Sequence, residues 1–353
     1  MTFITKYFYT LGSILFTGYL LVISRSLFNP LLAAFIVALA LRPFAAQLES
    51  IKIPRFGSTL ISVMLFLFVF LGLAIFFSSQ IRHIDFEMQS FGGAFTGFAG
   101  KIQNWLTELL GISLDQQVSL LKDALNALLK NSVSFMNSTL HTTTNFITSF
   151  VIFILSLFFI LYYRAFLVSF LYKIVTSHHH ATLTKTLNLI QEVVSSYVLG
   201  VFFVILIVAT LNILGLFALG IANAIFFGVM AAVLTLIPYI GILLGALLPM
   251  FFALFTKDSF WYPVGVLLVF MLVQFIEGNF LTPNIVGRQV SINPFAAILG
   301  LIVGGMLLGF TGIMFALPVL AIIKVICDNI KALKQIGYLI GNPQTSMVVN
   351  RGK

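Results

Sequence analysis

Long apolar runs separated by short polar breaks dominate this chain, and the runs are of membrane-crossing length. A helix needs ~20 apolar residues to cross the hydrocarbon layer. The first run is about Phe8–Phe28. Asn29-Pro30 interrupts it, and a second run, Leu31–Leu41, ends at Arg42-Pro43; starting that helix near Leu27 puts Pro30 in its first turn. After a loop over 42–57, a third run covers Ser58–Ser79. A fourth, Phe146–Tyr163, stops at Arg164 and is followed by a basic loop over 164–185. An amphipathic lead-in at Leu187–Ser196 opens a fifth span, about Tyr197–Leu219.

The second half has a different rhythm. Residues 223–255 are too many for one straight crossing, and P-Y-I-G-I-L-L-G-A-L-L-P (238–249) interrupts them with two prolines and two glycines. A seventh span is about Tyr262–Leu281. The eighth, about Pro294–Ile326, again exceeds one crossing and contains Gly300, Gly304, Gly305, Gly309, Gly312 and Pro318. The pattern predicts an all-α, polytopic helical membrane protein. It has about eight transmembrane spans, and the helices of the second half are interrupted. Residues 1–80 supply the first spans and 146–330 the larger transmembrane core.

Residues 81–145 break the pattern. Five of the ten acids of the chain are here: Asp85, Glu87, Glu108, Asp115 and Asp123. Trp105, Leu106, Leu109 and Leu110 fall on one helical face, and Val118, Leu121, Leu125, Leu128 and Leu129 on another. The segment reads as a small helical insert outside the membrane. With eight crossings and both termini cytoplasmic, thirteen basic residues fall on the inner side and six on the outer. Lys257 is then inner and Arg288 outer, the insert is extracytoplasmic, and 331–353 is a cytoplasmic basic tail.

Composition agrees. Of 353 residues, 60% are hydrophobic and 8% charged, and the mean hydropathy is +1.11. A soluble domain carries about 25% charge. The net charge of +9 is spread over short loops, which fits membrane topology rather than nucleic acid. The single Cys327 excludes an intrachain disulfide and a cysteine cage. His178, His179 and His180 adjoin one another and cannot all face one ion, so they read as solvated loop. No P-loop, H-E-x-x-H, G-x-S-x-G or G-x-G-x-x-G occurs. The expectation is a non-enzyme without cofactor or metal site.

Candidate chemistry concentrates in Q-F-I-E-G-N-F-L-T-P-N-I-V-G-R-Q (274–289). Glu277 and Arg288 are the only charged residues between Ser259 and Ile323. Gln274 and Glu277 share a helix face. A carboxylate near the bilayer centre costs roughly 2.5–3.5 kcal/mol on insertion scales, so it faces a cavity, pairs, or takes a proton. The helix is expected to weaken at Gly278 and break at Pro283, with Asn279, Thr282, Asn284 and Gln289 adding neutral polar groups. Arg288, beyond Gly287, either folds back on Glu277 or meets an anionic substrate. The alternative is a buried pair that fixes a bend and carries nothing. Pro238, Gly241, Gly245, Pro249, Pro283, Gly287, Pro294, Gly304, Gly305 and Pro318 are the candidate hinges or breaks, with close helix packing as the competing role.

The ordered string 238–249, 274–288, N-P at 293–294, G-G-M-L-L-G-F-T-G at 304–312 and A-L-P at 316–318 resembles the autoinducer-2 exporter family of bacterial and archaeal membrane proteins, also called PerM-type permeases. The resemblance covers nearly the whole chain. It implies a secondary permease of the bacterial inner membrane that self-associates. It also implies a small-molecule or cation substrate, with the lipid bilayer as its surroundings and no nucleic-acid partner. Members are described as exporters of the furanone signal autoinducer-2 or as sodium(lithium)/proton antiporters. Glu277, Pro283, Gly287 and Pro294 match family positions, while Gly278 stands where many members have a polar residue. Three functions are therefore weighed: export of a small polar molecule, cation/proton antiport at Glu277, and a non-transporting scaffold acting through 81–145.

Overall fold

The computed structural model describes residues 3–80, 146–237, 240–257, 259–286 and 292–341. The 81–145 insert, Pro238, Gly287, Arg288, Gln289 and positions 342–353 lie outside the described residues. Among the described residues the elements are helices, with one isolated bridge between Ile292 and Gly341. In chain order they are α1 (Phe3–Ile23), α2 (Arg25–Ser50), α3 (Arg55–Gln80), α4 (Phe146–Tyr162), α5 (Arg164–Ile174), α6 (His180–Ala218), α7 (Ala224–Leu234), α8 (Ile240–Thr256), α9 (Trp261–Ile276), a π-helix (Glu277–Val286), α10 (Pro294–Leu308), α11 (Phe310–Asn329) and α12 (Lys334–Ile340). Among the described residues, five helices are long and apolar enough to cross a membrane: α2, α3, α6, α9 with its π extension, and α11. The bent pair α4–α5 makes a sixth.

Several boundaries differ from those expected. The second helix does not end at Arg42-Pro43 but runs on to Ser50 with Pro30 and Pro43 inside it. Pro43 has no N–H for the Leu39 carbonyl one turn back. Gln191 of α6 supplies the missing donor, its Nε2 lying 2.6 Å from Leu39 O. A tertiary hydrogen bond thus removes the reason to stop, which the local sequence cannot show. The stretch after Arg164 is not a loop. It is α5, bent 68° from α4 at Tyr163. Nor is the histidine run wholly solvated, since His180 Nε2 lies 3.0 Å from both Tyr172 O and Val175 O at the end of α5.

The two over-long apolar segments fold back on themselves. Phe227 and Phe252 pack with ring centres 5.1 Å apart and planes tilted by 53°, a Cβ on Gly245 would sit 2.9 Å from that of Ala231, and one on Gly241 would overlap the Leu234 carbonyl. These pairs run in opposite directions, so α7 and α8 form an antiparallel hairpin. Lys257 Nζ accordingly returns to within 3.9 Å of the Cβ position at Gly220, where the hairpin began. The segment expected as a sixth crossing ends where it starts. Likewise α10 and α11 pair Gly304 with Gly312, Gly305 with Ile313 and Gly300 with Leu320. Their turn is Gly309, whose φ of +62° is strained for any side chain.

Charge sorts to one end. Arg42, Lys52, Arg55, Arg164, Lys173, Lys185, Lys324, Lys331 and Lys334 occupy the ends of α2, α3, α5, α6, α11 and α12 that meet there. Lys257 sits at the other end, contrary to its expected place with Arg42. The ends of α3 and α4 that flank the 81–145 insert also lie there, Phe77 packing edge-on against Phe226 at 5.9 Å. Ile292, just past the Arg288 linker, lies instead against Gly341 at the basic end. The expected tail is helical to Ile340: α12 doubles back on α11, with Gly337 against Asp328.

Candidate functional site: an intramembrane carboxylate on a π-helix

Helix α9 runs antiparallel to α6, held close because Gly215 faces Val269 and Gly265 faces Leu219. Glu277 is twelve residues beyond Gly265, about 18 Å along the axis. With ~30 Å of hydrocarbon to cross, Glu277 falls within the span Trp261–Ile285 rather than at its ends. The hairpin α7–α8 enters from the same end. Its eleven-residue α7 reaches about 16 Å, so its tip stops at the depth of Glu277. Ala232 near that tip packs with Val204, Val208 and Val273, and with Leu281 and Ile285 of the π-helix. From the basic end, α10 rises fifteen residues, about 22 Å. Its last carbonyl, at Leu308, accepts from Asn29 Nδ2 at 3.2 Å. Two hairpins therefore enter from opposite ends and both turn within the membrane layer.

The π-helix accounts for the geometry of the carboxylate. Gln274 Nε2 donates to Glu277 Oε2 at 2.6 Å, as expected for residues three apart on one face. Thr282 Oγ1 donates to Glu277 Oε1. In an α-helix position i+5 stands about 140° round from position i. The wider π turn brings the two onto one side. Extended π-helices are rare, and short ones cluster at functional sites. Pro283 does not break the helix as expected, because it is absorbed within the π turns.

The remaining expected site residues divide. Gln274, Glu277 and Thr282 are half-buried and joined by hydrogen bonds. Asn279 and Asn284 are exposed on the outer face and donate to their own backbone, at Phe275 O and Phe280 O. Arg288 and Gly287 lie outside the described residues, so a Glu277–Arg288 pairing stays untested. Among the described residues Glu277 has no cationic partner, and no group of three metal-ligating side chains occurs. Pro294 is the first residue of α10, capped by Asn293, whose Oδ1 accepts from Ala296 N at 2.8 Å. Pro249 and Pro318 are fully buried inside α8 and α11. Pattern reading missed Asn212. It is 2% exposed on α6, and its Oδ1 has no donor among the described residues. A lone amide in the apolar run 197–219 was the available signal.

Sequence comparison places this arrangement in a family. The family model described as AI-2E family transporter matches residues 11–332. YueF of Bacillus subtilis (strain 168), which carries the name of a candidate transport protein, is 26% identical over 340 residues, covering 91% of this chain and 88% of YueF. The AI-2 transport protein TqsA of Escherichia coli (strain K12) is 30% identical over 125 residues, 35% of this chain and 36% of TqsA. YrrI of Bacillus subtilis (strain 168), another candidate transport protein, is 33% identical over 136 residues, 38% of each chain. The match spans the early helices, both hairpins and the π-helix, and the chain belongs to the AI-2E transporter family of multi-pass membrane proteins.

Proposed function

We propose that this transporter exports a small polar organic molecule, driven by an ion gradient, with Glu277 taking up and releasing the coupling proton. The observation that carries the reading is the carboxylate itself. It lies inside an apolar membrane-length helix, and among the described residues its two oxygens are met by the neutral donors Gln274 and Thr282. Both donors satisfy a charged carboxylate, and among the described residues no cation is paired with it, which suits a group that takes up a proton in one half of the cycle. The name of TqsA supports autoinducer-2 as the substrate to try first. Crowding of the basic residues at one end supports a cytoplasmic location for that end and an outer location for the insert. Gly241 and Gly245 on one hairpin, and Gly304 and Gly305 on the other, are the proposed sites of rocking; Pro238, Gly287 and Arg288 complete the proposed pathway.

A second reading, sodium(lithium)/proton antiport, is supported by the oxygen set, since Glu277, Thr282 and the Gln274 amide offer hard ligands in one cluster. The two readings part in proteoliposomes. Export predicts that vesicles loaded with autoinducer-2 lose it faster when a proton gradient is imposed, and that sodium or lithium pulses leave a lumenal pH dye unchanged. A dye response to either cation, with no release of autoinducer-2, would replace the first reading by the second. A folded protein that gives neither response returns the scaffold reading.

A further inference from the structure

Away from the Glu277 site, α5 is too short to cross a membrane and does not follow the helix before it. Its 11 residues measure about 16 Å, and it turns 68° from α4 at Tyr163. Along the α4 axis it therefore advances only about 6 Å. Helix α4, Phe146–Tyr162, already extends about 25 Å, most of the ~30 Å hydrocarbon layer. The bend thus falls where α4 leaves the hydrocarbon, at the basic end.

The spacing of residues gives α5 distinct sides. Arg164, Val168 and Tyr172, four apart, form a half-buried stripe. This stripe holds α5 on the bundle. Arg164 donates to Glu49 of α2, and the Tyr172 hydroxyl lies 2.5 Å from Thr184 Oγ1 of α6, with its ring edge-on to His180. Phe166, Phe170 and Ile174 stand about 160° round from the stripe, and each is more than half exposed. Leu167 and Leu171, also exposed, occupy one flank. Ser169 and Lys173, exposed as well, occupy the other, and Lys173 is in the last turn, where a cation suits the helix dipole. A polar and an apolar flank therefore lie on opposite sides of a helix whose third side is fixed to the protein.

The exposed apolar side continues a surface that already faces lipid. On α4, Phe153, Leu157 and Leu161 are buried in the bundle, while Val151, Leu155 and Phe159 on the opposite side are about half exposed. On a membrane-crossing helix that outer row meets acyl chains. The row carries on across the bend: Phe159 stacks on Tyr163 at 5.9 Å, and Tyr163 meets Phe166 edge-on at 6.5 Å. Phe170 and Ile174 extend it along α5. The 81–145 insert joins α4 at its other end, away from this face.

We propose that α5 is an interfacial anchor. It sinks Phe166, Phe170 and Ile174 into the boundary between lipid headgroups and acyl chains, with Leu167 and Leu171 toward the chains and Ser169 and Lys173 toward water. A helix with phenylalanine and leucine on one side and lysine on the other occupies that boundary, its apolar face ~5–10 Å deep. Through Glu49 and Thr184 the anchor is tied to α2 and α6.

The full-length protein carrying Trp105→Phe and Trp261→Phe is reconstituted in phosphatidylcholine vesicles, with a single tryptophan introduced as Phe170→Trp or Ser169→Trp. These neighbours in sequence are about 100° apart on the helix. Emission is quenched either by phosphatidylcholine brominated near the headgroup end of its acyl chains or by acrylamide in the water. Phe170→Trp is expected to lose most of its emission to the brominated lipid and little to acrylamide, and Ser169→Trp the reverse. Lys173→Trp, on the same flank as Ser169, gives the water-side reading if Ser169→Trp does not fold. Equal quenching of the two positions by both agents overturns the proposal, as does stronger quenching of Phe170→Trp by acrylamide than by lipid. Shielding of Phe170→Trp from both agents overturns it too. Exposure on removal of 342–353 would then assign the face to the tail of the chain, and exposure on dilution in lipid to a second copy.

Discussion

Gly304→Ala tests whether the two apolar segments of the second half are tight hairpins. A Cβ at Gly304 would lie 2.6 Å from Gly312 O and 3.0 Å from Gly312 C, while 3.4 Å is ordinary contact. Helices α10 and α11 would have to separate locally by about 0.8 Å. A gap of that size forfeits a quarter to a half of the dispersion energy of the contacts beside it, and overpacking of this kind costs about 1–3 kcal/mol. The exchange also brings about 1 kcal/mol of helix propensity, which hides part of the cost. Gly72→Ala on α3 isolates it, because nothing lies within 4 Å of that Cβ position, so only the propensity gain applies. Thermal unfolding in detergent, read by helical ellipticity, should place Gly304→Ala below Gly72→Ala by the full packing cost, a difference of several degrees. Equal midpoints for the two variants would refute the antiparallel pairing of α10 with α11.

Other consequences follow from the same contacts. Gln191→Leu removes the donor that satisfies Leu39 O beside Pro43 and the acceptor of Arg42; it should destabilise by about 1–3 kcal/mol, read as a lowered unfolding midpoint. Asn293→Ala deletes the cap on Ala296 N and the bonds to Leu339 O and Gly341 O. It should cost about 1–2 kcal/mol and speed tryptic cleavage at Lys331 and Lys334 as α12 comes loose. Thr282→Val, which keeps the shape and removes one donor to Glu277, should slow transport by about tenfold, since a hydrogen bond to a charged group is worth about 1.5–3 kcal/mol. Asn284→Ala, on the exposed face, should leave the rate near that of the wild type.

The parts legible in the sequence are those set by composition and period. Twenty-residue apolar runs give the membrane class, and the Pro and Gly signals at 238–249 and the glycines at 304–312 mark where the long segments fail to run straight. Their folding into hairpins was not legible, because it depends on which surfaces meet: Gly245 on Ala231, Gly304 on Gly312. The same limit explains Pro43. A proline ends a helix locally unless a distant group such as Gln191 replaces its lost bond. Glu277 stood out as a charge in an apolar segment, and Gln274 followed from helical spacing. Thr282 was named only as a nearby polar group. Its bond to Glu277 needs the π turn, and the usual 3.6-residue period points it elsewhere. The Glu49–Arg164 bridge joins residues far apart in the chain, and no local pattern announces it.

The central claim is that Glu277 exchanges the coupling proton, and Glu277→Gln tests it most directly. The variant keeps the size of the side chain and one acceptor oxygen, and removes the titratable carboxyl group. Wild-type and variant proteins, matched for unfolding midpoint, are reconstituted in vesicles holding a pH-sensitive dye and autoinducer-2, with sodium or lithium pulses in a parallel set. Substrate- or cation-dependent proton movement is expected in the wild type and is expected to vanish in Glu277→Gln. Proton movement at the wild-type rate in Glu277→Gln would contradict the claim and leave the carboxylate a structural role within the π-helix.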